Sequence, residues 1–427
     1  MINYADIYLW QNHVATVAWD GRHLSSRFEY TPEFAESGIE LSPLMMPLQP
    51  HRVYQFPELS HDTFIGLPGL LADALPDAFG KALLDKWLAL SGRTFANPIE
   101  RLCYQGKRSM GALEFVPAQD NYLELSTGLE IKTLIETARE VFDEKKKLEA
   151  NLNNDTKEAV ANIIRVGTSA GGQRAKAVIA FNETTGDIRS GQIDAPDGFS
   201  HWLIKLDGVT NNELGDPKHY GQIEYVYHLM AREAGIDMTE CRLLEENGRA
   251  HFMTKRFDRA IGNEKLHMQT LCGMAHYDYK MIHAYSYEQV FQVMRRLRLS
   301  YSDAEQMYRR MVFNVVARNQ DDHTKNISFL MDRQGKWALS PAYDMSWAYN
   351  PTGMWTSNHQ MSINNKFDEI TREDLLAVAR NVNIKHADQI IGQVVESVRH
   401  WPNLAKEYGI PDDIAKAINS TLLLDLS

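Results

Sequence analysis

The chain has 427 residues, of which 44% are hydrophobic, enough to bury a substantial core and to form two or three lobes. Its 45 Lys and Arg residues against 56 Asp and Glu residues give a formal charge of -11. This charge argues against general electrostatic binding to nucleic acid or to an anionic membrane. Any contact with DNA is therefore expected to be local or to run through a partner.

The cysteines and the first segment of the chain restrict its class further. Cys103, Cys241 and Cys272 are widely spaced and form no CxxC pair, which predicts neither a disulfide framework nor a zinc site and is consistent with a reducing cytoplasm. The segment MINYADIYLWQNHVATVAWDG alternates polar and apolar residues, which predicts strand rather than a signal peptide. No stretch approaches the roughly 18 apolar residues of a membrane span, so we expect no membrane association.

Three regions are predicted in chain order. Residues 1–125 should form a subdomain of short strands and the helical segment LLADALPDAFGKALLDKWLAL, which starts or breaks at Pro76. Residues 126–258 should contain helical segments at 131–150 and DTKEAVANIIRV, strands AKAVIAF and HWLIKL, the helix QIEYVYHLMAREAG ending at Gly235, and a hairpin turning at Asn247 and Gly248. Residues 259–427 should be mostly helical, with SYEQVFQVMRRL and SDAEQMYRRMVFNVVARN as helices and NISFLMDRQGKWALSPAYD as a hairpin turning at residues 333–335.

The glycine-rich run RVGTSAGGQRAK, residues 165–176, precedes one of these strands. In one interpretation its glycines are required only by a turn, and the run is not a Walker motif. Alternatively, Ala170, Gly171 and Gly172 allow backbone N–H groups to approach phosphate oxygens, while Thr168 and Ser169 offer hydroxyls. Both interpretations remain open from the residues alone.

Two charged residues in the middle region also have two interpretations each. Lys205, a lone cation in HWLIKL, is either an edge-strand lysine whose ammonium reaches solvent or a phosphate-binding lysine. Glu224, near the start of its predicted helix, either complements the helix dipole or anchors Lys205.

The most specific motif is NQDDHTKN, residues 319–326, between a predicted helix and a predicted strand. It is either a polar helix end or a site in which Asp321 accepts a proton from a substrate hydroxyl and Asn326 binds a phosphate-bound metal ion. Asp344 in SPAYDMSW would supply a second oxygen ligand from a nearby strand end. Glycine-rich turn, strand lysine, helix glutamate, acid-x4-Asn and a further acid stand in the order of a protein kinase.

With these motifs the chain resembles the HipA family of bacterial toxin-antitoxin serine/threonine kinases, through NQDDHTKN, SPAYD, HWLIKL, TKRFDR and GGQRAK. LLADALPDAFGKALLD and NPIERLCYQGKRSMGALEF extend the resemblance to the N-terminal region, so it covers most of the chain. It implies a two-lobed, protein-kinase-like α/β (α+β) fold with an added N-terminal α/β subdomain and a mostly helical C-lobe. It also implies ATP and Mg²⁺ as cofactors, and as protein substrate a Ser or Thr of a translation factor such as an aminoacyl-tRNA synthetase. A small helix-turn-helix antitoxin would be the partner through which DNA is contacted.

Carried over residue by residue, the resemblance makes Asp321 the catalytic base and Asn326 and Asp344 the Mg²⁺ ligands. Lys205 would contact the α- and β-phosphates. The remaining implied ATP contacts are Ala170, Gly171, Gly172, Gln173, Arg174 and Ala175 in the turn, Lys255, Arg256 and Phe257 where the lobes join, and His323, Thr324, Lys325 and Tyr343. Alternatively, Arg256 and Asp258 form a structural ion pair.

The chain departs from the family pattern at two places. The family's inhibitory autophosphorylated serine precedes the phosphate turn, where Thr168 aligns with it and Ser169 is adjacent, so either hydroxyl is a candidate. Lys255 stands where the family has an acid near adenine, so that side-chain contact is not predicted here. Of the two neighbouring acids, the spacing to Asn326 selects Asp321, and Asp322 is predicted to be exposed.

Three functions from different classes follow. The first is a kinase toxin that halts translation. The second is a kinase-fold, nucleotide-binding regulator that acts mainly by binding a helix-turn-helix repressor and DNA. A small-molecule kinase is disfavoured because the resemblance reaches the N-terminal subdomain. Transfer that depends on Asp321 separates the first two.

Overall fold

The computed structural model describes residues 2–76, 78–90, 92–93, 95–118, 175–191, 194–207, 219–246, 248–260 and 263–426. The predicted helical segments at 131–150 and DTKEAVANIIRV lie outside these ranges, as do Thr168, Ser169, Ala170, Gly171, Gly172, Gln173 and Arg174. The chain divides into a first unit (Met1–Lys218, Leu244–Gln269, Met331–Lys336) and a second unit (His219–Leu243, Thr270–Leu330, Trp337–Ser427).

The described strands are β1 (Tyr4–Leu9), β2 (Asn12–Asp20), β3 (Ser25–Tyr30), β4 (Val53–Tyr54), β5 (Leu113–Val116), β6 (Lys176–Phe181), β7 (Ile188–Ser190), β8 (Ser200–Lys205), β9 (Cys241–Glu246), β10 (Arg249–Lys255), β11 (His267–Thr270), β12 (Tyr285–Ser286), β13 (Ser328–Met331), β14 (Trp337–Leu339) and β15 (Met361–Ser362).

The described helices are α1 (Pro32–Ala35), α2 (His61–Phe64), α3 (Gly69–Ala72), α4 (Ala78–Leu90), α5 (Pro98–Gln105), α6 (Tyr220–Glu233), α7 (Leu271–Ala275), α8 (Tyr287–Arg296), α9 (Tyr301–Val316), α10 (Arg372–Val382), α11 (Ala387–Arg399), α12 (Trp401–Glu407) and α13 (Asp412–Asn419), with a 3-10 turn at Thr324–Asn326. None of the helices in this part of the chain combines the length and apolar character that a bilayer span requires.

An antiparallel sheet in the order β4-β3-β2-β1-β5 forms the beginning of the first unit. Ala5, Ile7 and Leu9 of β1 are buried, as expected when alternate side chains face a core. The predicted N-terminal strands are therefore confirmed. The predicted helix break is confirmed as well, because α3 ends before Pro76 and α4 begins after it.

A second sheet follows in the order β7-β6-β8-β10-β9. AKAVIAF and HWLIKL form its neighbouring antiparallel strands β6 and β8, in which Lys176 pairs with Lys205. Because β8 lies between β6 and β10, the interpretation of Lys205 as an edge-strand lysine is wrong. Gly248, with φ +76°, lies between β9 and β10 as predicted, whereas Asn247, the other residue of the predicted turn, lies outside the described residues.

In the second unit the predicted helices form where their end signals place them. Ser286 with Gln289 and Ser300 with Asp303 form capping boxes that start α8 and α9. Gly235, with φ +78°, follows α6 as predicted. The second half of α9 is buried on all sides, so this helix forms part of the core of the unit. The turn between β13 and β14 also forms as predicted, and its Gly335 has φ +78°.

One buried carboxylate in the first unit joins segments that are distant in sequence. Asp258 accepts from Arg256 Nε and Nη2 at 2.9 and 2.7 Å and from Arg259 Nη1 at 2.8 Å. It also accepts from the backbone N–H of Gly111 at 2.7 Å, and Arg259 donates back to the carbonyls of Gly111 and Ser109. The structural ion pair between Arg256 and Asp258 is therefore present, and it ties residues 109–111 to the segment after β10.

Burial alone would raise the pKa of Asp258, but Arg256 and Arg259 and the hydrogen bonds lower it well below its usual range. A depressed folded-state pKa stabilises the fold above the unfolded-state pKa of about 3.9, and this contribution is lost as the pH falls through the folded-state pKa.

We expect Asp258→Ala to lower the free energy of unfolding by about 3–5 kcal/mol at neutral pH, because two buried guanidinium groups lose their carboxylate. Urea unfolding measures this loss, and the difference from wild type should shrink when the pH is lowered below about 4. The control is Asp85→Ala, which removes an exposed acid paired with Arg101 and should cost no more than about 1 kcal/mol. Equal losses in the two variants would contradict the assignment.

Candidate active site

The loop that carries the candidate site, residues 319–326, is called the acidic loop below. It begins directly after α9, where the backbone N–H of Asn319 donates to the carbonyl of Asn314 at 2.9 Å. It ends in the 3-10 turn Thr324–Asn326, in which the N–H of Asn326 donates to the carbonyl of His323 at 2.9 Å. The loop is thus anchored at both ends while residues 320–323 have no regular secondary structure.

Asp321 presents its carboxylate outward from this loop. Its side chain is 51% exposed, and its Oδ1 lies 3.8 Å from Nε2 of His323. Its backbone carbonyl accepts from Nδ2 of Asn326 at 2.7 Å. Because the amide nitrogen makes this bond, the amide oxygen of Asn326 is turned away from the loop backbone and is oriented to accept or to ligate.

Hydrogen bonds of residues before and after Asp344 hold its segment beside the acidic loop. The hydroxyl of Tyr343 donates to the carbonyl of Lys325 at 2.7 Å. Four residues beyond Asp344, the carbonyl of Ala348 accepts from the N–H of Gln320 at 3.0 Å. Asp344 itself has φ +52°, a left-handed conformation that aspartate tolerates better than most residues. Such backbone geometry is often found at functional sites.

Asn326 and Asp344 line one cavity, together with Asp322, His323 and Tyr343. An amide oxygen and a carboxylate are ligands that suit Mg²⁺, which typically takes one or two protein ligands and keeps the rest for water and phosphate. The residues present therefore fit this metal. Within the described ranges, no group of three or more His, Cys, Asp and Glu side chains is arranged to hold a metal ion.

The prediction that Asp322 is exposed is wrong. Its side chain is 1% exposed. Its Oδ2 accepts from the hydroxyl of Tyr287 at 2.7 Å and lies 2.8 Å from Nδ1 of His359, and its Oδ1 accepts from the N–H of Gln360 at 2.7 Å. Burial and then the neighbouring Asp322 carboxylate raise the pKa of Tyr287 well above its usual value, so its phenol remains a donor. Donors from two other segments stabilise this carboxylate inside the protein.

An aromatic segment not singled out in the sequence packs on the acidic loop. The ring of Tyr279 lies 5.3 Å from that of His323, and Nζ of Lys325 lies 4.9 Å from its centroid. Thr324 Oγ1 donates to the carbonyl of Tyr277 at 2.7 Å. A signal was available, because residues 277–287 contain four tyrosines in two pairs, Tyr277 with Tyr279 and Tyr285 with Tyr287. This segment therefore contacts His323, Thr324 and Lys325 of the loop.

The structure brings one group of predicted site residues together in the second unit. That group is Asp321, His323, Thr324, Lys325, Asn326, Tyr343 and Asp344.

The other described site residues belong to the first unit. They are Ala175, Lys205, Lys255, Arg256 and Phe257. Ala175 is buried and accepts from the N–H of Leu206, which places it next to the end of β8 and Lys205. Nζ of Lys255 lies 5.6 Å from the ring centroid of Trp202, and Arg256 is engaged by Asp258. The second unit holds Glu224, which is buried in α6.

Two protein-family models match the chain. The model of the HipA-like C-terminal domain matches residues 168–401, more than half of the chain, and that of the HipA N-terminal domain matches residues 5–116. The chain belongs to the HipA family. The C-terminal match includes the acidic loop, Asp344 and Lys205.

Two solved structures are similar to the chain to different degrees. The chain is similar to HipA of Shewanella oneidensis MR-1, determined in a complex with HipB and operator DNA, with a TM-score of 0.66 and 18% identity over 97% of this chain and 94% of that one. It also matches the proinflammatory kinase CtkA of Helicobacter pylori, with a TM-score of 0.34 and 12% identity over 53% of this chain and 89% of that one. No curated protein matches the chain. The predicted HipA-type, kinase-like α/β fold is confirmed.

We expect Asp344→Asn to weaken the binding of Mn²⁺, used as a paramagnetic substitute for Mg²⁺, by at least about tenfold in the presence of a non-hydrolysable ATP analogue. Electron paramagnetic resonance of free Mn²⁺ measures the affinity. Asp368→Asn is the control, because this carboxylate is 50% exposed and lies 3.7 Å from Arg318 rather than in the cavity. An unchanged affinity in Asp344→Asn would exclude Asp344 as a ligand.

Proposed function

We propose that the protein is an ATP-dependent serine/threonine protein kinase of the HipA type that acts as the toxin of a toxin-antitoxin system. The observation that carries this proposal is the arrangement of Asp321, Asn326 and Asp344. The side chain of Asp321 is half exposed, and its backbone carbonyl accepts from the amide of Asn326, which lines one cavity with Asp344. Phosphoryl transfer needs this combination of a proton acceptor and oxygen ligands for a metal ion.

Each residue has a separate task in this proposal. Asp321 accepts the proton of the Ser or Thr hydroxyl of the acceptor protein and orients that hydroxyl. Asn326 and Asp344 would hold Mg²⁺, and Lys205 would bind the α- and β-phosphates, the roles that such residues have in kinases. ATP, when bound, supplies the phosphoryl group. In this proposal Ala175 and residues 170–174, which lie outside the described residues, would cover the phosphates, and residues 255–257 would contact adenine.

The partners follow from family membership and from charge. We propose a small helix-turn-helix antitoxin as the partner, and the similar S. oneidensis HipA was determined with HipB and operator DNA. The formal charge of -11 supports contact with DNA through that partner. The proposed acceptor is a translation factor, such as an aminoacyl-tRNA synthetase, in the cytoplasm.

We expect Asp321→Asn to reduce phosphate transfer by about 10²–10⁴-fold with little change in affinity for ATP, because an amide does not accept the proton. Phosphoproteomics after brief induction of wild type and variant measures transfer and identifies the acceptor together. Asp368→Asn, remote from the cavity, serves as the control with wild-type transfer. If Asp321→Asn transfers phosphate and arrests growth like wild type, the nucleotide-binding regulator becomes the better description.

We further propose that the protein phosphorylates itself at Thr168 or Ser169, which lie outside the described residues. Mass spectrometry of purified wild type should find one phosphate on this pair, and the Asp321→Asn protein should carry none. Thr168→Ala and Ser169→Ala separate the two hydroxyls. Phosphate at another position, or equal phosphate in wild type and Asp321→Asn, would refute self-modification at this turn.

A further inference from the structure

Two neighbouring acids of the acidic loop have opposite environments. The side chain of Asp321 is 51% exposed, whereas that of Asp322 is 1% exposed. Within the described residues, the carboxylate of Asp321 makes no hydrogen bond, while both oxygens of Asp322 are engaged. A carboxylate enclosed in this way has no access to a substrate hydroxyl, so it is not an alternative base.

The partners of Asp322 come from two separate segments of the second unit. Tyr287 is the first residue of α8, and His359 and Gln360 directly precede β15. His359 is 1% exposed as well, so this contact is shielded from water. Asp322 thus joins the acidic loop to an element before it and to one after it in the chain.

The hydroxyl of Tyr287 is itself held by Asn314 near the end of α9, which binds the first residue of the acidic loop, Asn319. It accepts from Nδ2 of Asn314 at 3.0 Å, and Oδ1 of Asn314 accepts from Nδ2 of Asn319 at 2.9 Å. The bonds form a closed path from Asn319 through Asn314 and Tyr287 to Asp322. A path of this kind restricts the loop backbone between Asn319 and Asp322 from both ends.

The peptide unit between the two acids is held on both sides. The carbonyl of Asp321 accepts from Nδ2 of Asn326 at 2.7 Å, and the next side chain is Asp322. Rotation of this peptide unit would break either the Asn326 bond or the bonds of Asp322. The direction of the Asp321 carboxylate and of the Asn326 amide oxygen therefore depends on the buried carboxylate of Asp322.

We propose that Asp322 is a positioning residue for phosphoryl transfer, whose buried carboxylate holds Asp321 and Asn326 in their working orientation. The inference rests on the proposed kinase function. It assigns Asp322 no contact with substrate, ATP or metal ion. Tyr287 and His359 contribute to the same role because they hold the Asp322 carboxylate.

The test compares Asp322→Ala with Asp374→Ala. Asp374 is also a buried acid of the second unit and accepts several hydrogen bonds, from Thr371, Asn364 and Lys366, but it caps α10 and lies outside the site. Both variants should lose thermal stability. Asp322→Ala should lower kcat on the order of 10²-fold with KM for ATP unchanged, as expected for a misplaced catalytic group, and Asp374→Ala should keep the wild-type kcat.

Hydrogen exchange gives a second measure that does not require activity. Peptides that cover residues 319–326 should exchange faster in Asp322→Ala than in wild type, whereas Asp374→Ala should leave them protected. If Asp322→Ala does not fold, Tyr287→Phe removes a single hydroxyl donor and should show the same two effects at smaller size. Asp322→Asn, which places an NH₂ group against donors, should resemble Asp322→Ala.

The outcomes separate the two proposals. Wild-type protein that transfers no phosphate would refute the proposed kinase function, and the exchange data would then decide whether Asp322 anchors the loop. Active wild type with an unchanged kcat in folded Asp322→Ala and Asp322→Asn would overturn the positioning role. A fall in kcat that Asp374→Ala matches at equal loss of stability would overturn it as well.

Discussion

A carboxylate that is buried away from water needs hydrogen-bond donors from the protein, and in the acidic loop this requirement sets the geometry of the candidate site. Asp322 obtains its donors from α8 and from the segment before β15, so the loop is stable only when these elements are in place. The same contact determines the side of the backbone on which Asp321 emerges. The segment that carries Asp344 is held by hydrogen bonds of its neighbours, because the hydroxyl of Tyr343 donates to the carbonyl of Lys325 and the N–H of Gln320 donates to the carbonyl of Ala348.

The first unit uses a buried carboxylate in a related way. Asp258 joins the segment after β10 to residues 109–111 of the N-terminal region, and its partners are two arginines and a backbone N–H. The two sites differ in charge compensation. Asp258 is balanced by two permanent cations, whereas Asp322 has a phenol, an imidazole and a backbone amide as donors. Removal of Asp258 leaves two buried guanidinium groups without their carboxylate, whereas removal of Asp322 releases the contacts that hold the acidic loop, which is why we assign the first to stability and the second to positioning.

Local chemistry explains what could be predicted from the sequence. The ends of α6 and the turns before β10 and β14 depend on glycines with positive φ, and a single residue in the chain reveals them. The proposed roles of Asp321, Asn326 and Asp344 depend on spacing and on the family pattern. In the structure Asn326 binds the backbone of Asp321 and lines one cavity with Asp344. The burial of Asp322 was missed because its donors lie 35 to 38 residues away, and no local pattern distinguishes a solvated acid from one enclosed by a distant tyrosine and histidine. The packing of Tyr279 on the loop was missed for the same reason.

The proposed division of tasks between Asp321 and Asp322 has a physical rationale. A general base has to keep its carboxylate available to the proton it accepts, so strong hydrogen bonds to that carboxylate would oppose its chemistry. It also has to be held close to the working geometry, because small displacements are costly. One side chain does not satisfy both demands. In this chain the neighbouring acid and the amide of Asn326 hold the backbone, and the carboxylate of Asp321 remains half exposed and available.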